Sequence, residues 1–362
     1  MKKHLIYIGN QFLNNRALQE YVQREVEDKV DLLNIIEFYS ENDKSLFLEL
    51  EKVLETNNVI IIVTSKSSYP TVSKLLCTIT ADNMVLKDQL LVPEKSLIHE
   101  QNTYLLQHVD TYANVIMVDL NEEFPTVLLQ ENEKAVKINL FDEDLESAKA
   151  LLEPLIQTYD VRVEYTQLVS GWILLTINSK RYNNISHFVT SAKKLLATKL
   201  ITQEEIIPMI IDKLKVYKKK ITIAESCTGG FLAYMFTKHS GASTIFEGSL
   251  ITYSNEIKSN WLGVKDKLFE EHGAVSAEVV EEMSDGALNV AFADYAIAIS
   301  GIAGPTGGEE YKPVGTIFIS VRSKLNSNTE VISLKGDRKY IQYQSAMYAI
   351  KMLLLLEKET FF

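Results

Sequence analysis

Three stretches between Ala224 and Arg338 carry the residue types that chemistry needs. Ala224-Glu225-Ser226-Cys227-Thr228-Gly229-Gly230 sits between a short apolar run and an apolar-periodic helix. Two glycines let backbone N–H groups approach a ligand, and a helix N-terminus favours an anion. Ser226 and Thr228 add hydroxyls and Glu225 a carboxylate; alone, the loop reads equally well as a tight turn with a helix cap. A second loop, Ser300-Gly301-Ile302-Ala303-Gly304-Pro305-Thr306-Gly307-Gly308, follows a strand-like run, with Lys312-Pro313-Val314-Gly315 just beyond. Ligands of α/β sheets bind at the carboxyl ends of strands, so two such loops could form one anion-accepting pocket. No G-K-[ST] closes the second loop and GxGxxG is absent, which disfavours a P-loop or a dinucleotide fold.

Between these loops lie His239-Ser240-Gly241-Ala242-Ser243, then Glu247-Gly248, then Thr252-Tyr253-Ser254-Asn255-Glu256-Ile257-Lys258. Amide hydrolysis without a metal needs a nucleophile, a base to take its proton, and donors for the oxyanion. A serine with a lysine base meets the first two needs. Such a lysine must fall from about 10.4 towards neutrality through burial or nearby cations. Lys258 begins a helix, where the positive dipole end favours the neutral amine.

The elements that must hold these residues are legible. Strands are expected at Ile221 to Ala224, Leu250 to Tyr253, Tyr295 to Ile299, Thr316 to Val321 and Glu330 to Leu334, with helices through Phe231 to Phe236 and Asn255 to Leu262. Thr202-Gln203-Glu204-Glu205 has capping-box spacing before a further helix. Ser276 caps a helix whose Val279, Val280, Met283, Ala287 and Val290 share a face, and Arg338 to Leu356 is the closing helix. Upstream, Leu5 to Ile8, Val30 to Phe38 and Val59 to Val63 alternate with helical patterns, one of them Asp43 to Leu54. This βαβαβ order implies a parallel sheet. Ala135 to Leu140 and a helix from Leu145 to Tyr159 are assigned to that first domain, residues 1–160. A small α+β piece, 161–200, follows: a hairpin around Ser170-Gly171 and a helix from Ile185 to Ala197. The last domain is 201–362.

The chain has 362 residues, 46% of them hydrophobic, enough for two or three packed domains. Its net charge of −11 disfavours nucleic acid, and the one dense basic run is Lys218-Lys219-Lys220, read as a match to a helix C-terminus. Cys77 and Cys227 lie in no CxxC context, which excludes a disulfide framework or classical zinc site and fits a reducing compartment. The apolar run after Lys3 is too short for a signal peptide and no run is long enough to span a bilayer. A soluble cytoplasmic protein is expected, with no membrane partner.

The motifs at Ala224 to Gly230, Gly241 to Ser243, Thr252 to Lys258 and Gly273 to Ser276 resemble the C-terminal domain of the CinA family, known also as nicotinamide mononucleotide deamidases. The resemblance continues at Ser300 to Pro305, Gly307-Gly308, Lys312 to Gly315 and Gly336-Asp337-Arg338. It implies an α/β fold whose last domain is a three-layer α/β/α amidohydrolase. That enzyme makes nicotinate mononucleotide and ammonia, with no cofactor or metal, and the expected assembly is a homodimer. Carried over by motif, Ser243 is the first candidate nucleophile and Ser226 the second, Lys258 the base and Tyr253 a supporting acid or orienter. Substrate contacts are expected from Glu225, Thr228, Gly229, Gly230, Ser300, Gly301, Gly304, Gly307, Gly308, Lys312 and Arg338.

The first domain is similar to the molybdopterin-binding-like domain of full-length CinA proteins, which the family associates with metal-dependent ADP-ribose pyrophosphatase activity. Its hallmark glycines and paired aspartates are missing from Thr64-Ser65-Lys66-Ser67-Ser68-Tyr69-Pro70-Thr71-Val72-Ser73. The domain therefore reads as a degenerate scaffold. Two alternatives stand beside the deamidase: a residual pyrophosphatase in the first domain, and a non-catalytic nucleotide-binding protein linked to competence.

Overall fold

The computed structural model describes residues 2–30, 33–56, 59–129, 135–179 and 181–362, in two compact units, Met1–Ala135 and Val136–Phe362. The mixed α/β class expected from the sequence is the class observed.

In the first unit, strands Ile35–Tyr39, Lys3–Ile8, Val59–Ser65 and Thr111–Val118 lie side by side in parallel. Thr103–His108 and Ile98–Glu100 extend the sheet antiparallel. Val59–Ser65 is covered on both faces, which is why it reads as an unbroken apolar run. Side chains alternate. Ile6, Ile8, Ile60 and Ile62 pack on helices Leu46–Leu54 and Tyr69–Ile79, while Leu5, Tyr7, Ile61 and Val63 pack on helix Arg16–Val30. Val30 closes that helix rather than opening a strand; Asp31 and Leu32 lie outside the described residues. The next helix begins at Leu46 instead of Asp43, because the Asp43 carboxylate accepts the Ser45 N–H and hydroxyl in the preceding turn.

The boundary expected at residue 160 differs from the observed one, between Ala135 and Val136. Strand Val136–Phe141 finds its partners downstream: it pairs antiparallel with Trp172–Asn178 on one side and Leu200–Ile201 on the other. With helices Leu145–Tyr159 and Tyr182–Leu195 and strand Arg162–Val169 this makes a βαββαβ unit, a split βαβ arrangement. One face of its sheet holds the helices through Leu140, Leu152, Leu175, Phe188 and Ala192. The other face, with Phe141, Val169 and Trp172, merges into the core of the last domain. Trp172 Nε1 is satisfied there by Asn139 Oδ1 at 2.8 Å.

The last domain is a five-stranded sheet in the order Phe246–Ile251, Ile221–Glu225, Tyr295–Gly301, Thr316–Ser323, Ser327–Ser333. The first three strands are parallel and the last two antiparallel. Period-two alternation gives the sheet two unlike faces. Ile223, Ile297, Ile299 and Ile319 pack against helices Ile206–Val216, Phe231–Thr237 and Arg338–Leu356. Ala224, Ala296 and Ala298 let helix Ala277–Ala291 approach the other face closely. Helices on both faces give the expected three layers. Ser276 caps helix Ala277–Ala291 as expected, accepting the Val279 N–H. The capping box at Thr202 does not form: helix Ile206–Val216 starts after Glu205 without a side-chain cap, and the Thr202 hydroxyl faces Gln203. The basic run follows the end of helix Ile206–Val216, and two of its lysines also form ion pairs, Lys219 with Asp294 and Lys220 with Glu247.

Candidate active site

Strands Ile221–Glu225 and Tyr295–Gly301 end at the same edge of the sheet, and the loops that leave them line a cavity of about 340 Å³. Ser226, Cys227, Tyr253, Asn255, Lys258, Ser300, Gly301, Gly304, Thr306, Gly307 and Arg338 are among its walls. Ser226 follows strand Ile221–Glu225 directly. Its N–H donates to Ile299 O at 3.0 Å and its carbonyl accepts from Gly229 at 3.1 Å, which fixes the turn. Gly229 and Gly230 hold φ of +61° and +98°, a region open to glycine and strained for other residues.

Lys258 reaches this turn from helix Asn255–Leu262, whose N-cap Ser254 accepts the Ile257 N–H. It is only 1% exposed. Its Nζ lies 2.7 Å from Thr252 O, 3.3 Å from Tyr253 O and 3.2 Å from Ser226 Oγ. Burial lowers its pKa below the ordinary lysine value, and among the described residues no carboxylate repays the desolvation. Burial also pushes the Cys227 thiol up to about 12, so that sulfur stays protonated beside the serine.

Arg338, the first residue of the closing helix, donates to Gly304 O at 2.7 Å and to the Tyr253 hydroxyl at 2.9 Å. Both acceptors are uncharged, so the guanidinium brings a net positive charge to the cavity. Ser300 lies at its back, with Oγ donating to Ala274 O at 3.1 Å.

A model of the CinA C-terminal domain matches residues 203–356. The nicotinamide-nucleotide amidohydrolase PncC of Escherichia coli K12 is 47% identical over 143 residues, which are 39% of this chain and 86% of PncC. The chain belongs to the CinA C-terminal domain family. A CinA-like protein of Thermotoga neapolitana is 42% identical over 153 residues, 42% of this chain, and the match spans 37% of that relative's length. The crystal structure of the competence/damage inducible protein CihA from Agrobacterium tumefaciens is 32% identical, covering 41% of this chain and 92% of that one, with a TM-score of 0.41.

The CinA domain gathers some of the expected site residues and leaves others outside. Ser226, Lys258, Tyr253, Ser300, Gly301, Gly304, Gly307 and Arg338 meet at the cavity. Ser243 does not. It lies exposed on the short turn Ala242–Thr244, which precedes strand Phe246–Ile251. Phe246 pairs with Ile221, at the start of strand Ile221–Glu225, whereas Ser226 follows its end. Five residues of strand rise put about 17 Å between those edges. Glu225 is fully buried and serves the helix that follows, its carboxylate accepting the N–H groups of Gly230, Leu232 and Ala233 and the Ser249 hydroxyl. Lys312 is tied to His272 O at 2.8 Å, bracing its loop. A Cβ on Gly308 would meet the Val314 nitrogen at 2.7 Å, so that glycine answers to packing. Thr228 is buried, with its hydroxyl unpaired. Asn255, Thr306 and Gln342 escaped the sequence reading. Gln342 donates to Cys227 O at 2.7 Å, and its spacing of four from Arg338 on one helix was the available signal.

Proposed function

We propose that the CinA domain hydrolyses the carboxamide of nicotinamide mononucleotide to nicotinate mononucleotide and ammonia, with Ser226 as nucleophile and Lys258 as its base. One observation carries the reading: a fully buried lysine amine stands 3.2 Å from the hydroxyl at the cavity wall. A neutral amine has two N–H donors and one lone pair. The carbonyls of Thr252 and Tyr253 take the donors, which leaves the lone pair for the Ser226 proton.

In this mechanism Ser226 Oγ attacks the carboxamide carbon while Lys258 Nζ takes the hydroxyl proton. The carbonyl π pair moves to oxygen, where the N–H groups of Cys227 and Thr228, which donate to no protein oxygen among the described residues, can receive it. Collapse of the tetrahedral species expels the amide nitrogen, which leaves as ammonia with the proton from Lys258. Water, deprotonated by the same lysine, then cleaves the acyl-serine ester and restores Ser226. Arg338 supplies the charge for the substrate phosphate, and Tyr253, held by Arg338, orients the substrate.

The name and 47% identity of the E. coli relative support the substrate. The same reading takes the protein as a cytoplasmic homodimer with no nucleic-acid partner, in keeping with two free buried cysteines and a net charge of −11. No helix among the described residues is long and apolar enough to cross a membrane.

The first unit is proposed to be a scaffold that has lost its pyrophosphatase site. The hydroxyls at its residues 65–68 are taken up by protein partners: Ser65 Oγ lies 2.9 Å from Ser67 Oγ and 2.8 Å from Ser68 Oγ, and Glu41 accepts from Ser67 at 2.7 Å. Among the described residues no three His, Cys, Asp or Glu side chains gather as metal ligands. Incubating the protein with nicotinamide mononucleotide and measuring both products tests the activity. Equimolar acid and ammonia from the wild type, and neither from Ser226→Ala, is the expected result; release that survives in Ser226→Ala overturns the assignment.

A further inference from the structure

The turn after Ser226 is held almost entirely by main chain. Ser226 N–H and C=O, Thr228 C=O and Gly229 N–H all bond backbone groups, and Gly230 N–H bonds the buried Glu225. The Cys227 carbonyl is taken by a side chain from far along the sequence: Gln342 Nε2, 2.7 Å away and 115 residues on. Gln342 lies one turn beyond Arg338 on the closing helix, so the two share a face. That face ties together the three loops of the cavity. Arg338 holds Gly304 O and the Tyr253 hydroxyl, and Gln342 holds the loop of the proposed nucleophile.

The peptide joining Cys227 to Thr228 is a rigid plane, with its C=O and N–H pointing in opposite directions. Fixing the carbonyl therefore fixes the direction of the Thr228 N–H. Without its donor, the carbonyl is left partly buried and unpaired and will rotate towards another partner, taking the N–H with it. We propose that Gln342 is a positioning residue for amide hydrolysis: by gripping the Cys227 carbonyl it aims the Thr228 N–H at the developing oxyanion. The inference rests on the Ser226 reading above and adds a residue that touches neither substrate nor lysine.

Gln342→Met keeps the length of the side chain and removes its donor, whereas Gln342→Lys and Gln342→Arg restore a donor. The expected result for Gln342→Met is a kcat lowered about 10- to 100-fold, the scale for a displaced oxyanion donor, with KM within about twofold of wild type. The rising limb of the pH profile stays in place, because Lys258 is untouched. Arg or Lys at 342 recovers most of kcat. Should the Met variant fail to fold, Gln342→Asn, which keeps polarity and cannot reach, takes its place with the same expectation.

An unchanged kcat, a loss confined to KM, or a lost kcat that neither cation restores overturns the proposal. A fluorophosphonate probe separates it from the substrate reading, since it phosphonylates a reactive serine directly. Labelling of the wild type that Ser226→Ala abolishes, slowed about tenfold or more in Gln342→Met, supports the positioning role even if nicotinamide mononucleotide yields no ammonia. Equal labelling rates in the wild type and Gln342→Met overturn it.

Discussion

Lys258 Nζ meets Ser226 Oγ at 3.2 Å across 32 residues of sequence, inside the edge where two parallel strands end. The lysine comes from a helix that follows one strand, and the serine from the turn that follows its neighbour. Parallel pairing puts both chain exits at one edge, so the meeting is a consequence of topology.

Ser226→Ala is expected to lower kcat by at least about 10³-fold, the scale for losing a serine nucleophile with its fold intact. Ser243→Ala, on an exposed turn at the other edge of the sheet, should stay within about twofold. Steady-state ammonia release from the two variants checks this pair. Full activity in Ser226→Ala with loss in Ser243→Ala would reverse the assignment.

The pH dependence follows from burial. Lys258 acts as a base only when neutral, and burial lowers its pKa. Activity should therefore rise with pH along a limb centred below the ordinary lysine value of about 10.4. Stability has a matching sign. Between the lowered folded pKa and the unfolded value, the unfolded chain binds the extra proton, so stability rises with pH across that window. Lys258→Met should remove both the activity and that slope. A denaturation series with unchanged slope in Lys258→Met would contradict the shift.

Arg338 is expected to act mainly on binding. Losing a hydrogen-bonded charge costs about 1.5–3 kcal/mol, so Arg338→Met should raise KM for the mononucleotide roughly 10- to 100-fold. Nicotinamide riboside, which lacks the phosphate, should lose much less. Equal losses on the two compounds would show that the arginine serves the loops alone.

Chelation should leave turnover unchanged, because the serine and lysine steps require no metal. Activity lost in EDTA and restored by one divalent ion would count against the mechanism.

Gly286→Ala sets two effects against each other. In a helix interior the exchange normally stabilises by about 1 kcal/mol. Here the new Cβ would run into Leu262 O, in backbone that cannot yield cheaply. Overpacking of this kind costs about 1–3 kcal/mol or more, so a lower melting temperature is expected. A higher one would mean that helices Asn255–Leu262 and Ala277–Ala291 are less closely packed than described.

Much of this was legible in the residues, for reasons that differ from element to element. The closing helix was bounded correctly because Asp337 precedes it and accepts the Tyr340 N–H, a local device. The boundary at 160 failed because helix Leu145–Tyr159 has the same amphipathic pattern whichever sheet it covers; only strand pairing decides. Ser243 and Ser226 both follow helices or strands in small-residue loops. Which edge of the sheet each reaches depends on the direction of its strand, and spacing does not record that. Glu225 read as a ligand because a carboxylate beside glycines suits either a substrate or a helix N-terminus; in the structure it is fully buried and accepts the helix N–H groups. Gln342 was hidden because its partner is a main-chain carbonyl far upstream; its spacing of four from Arg338 marks a shared helix face but names no partner.

The central claim is that Ser226 carries the acyl group, and rapid-quench mass spectrometry tests it most directly. Enzyme mixed with nicotinamide mononucleotide and acid-quenched within a turnover should yield a peptide bearing Ser226 heavier by one nicotinate mononucleotide acyl group. The adduct should be absent from Ser226→Ala. An adduct on the peptide bearing Ser243, or steady ammonia release by Ser226→Ala, would contradict the account.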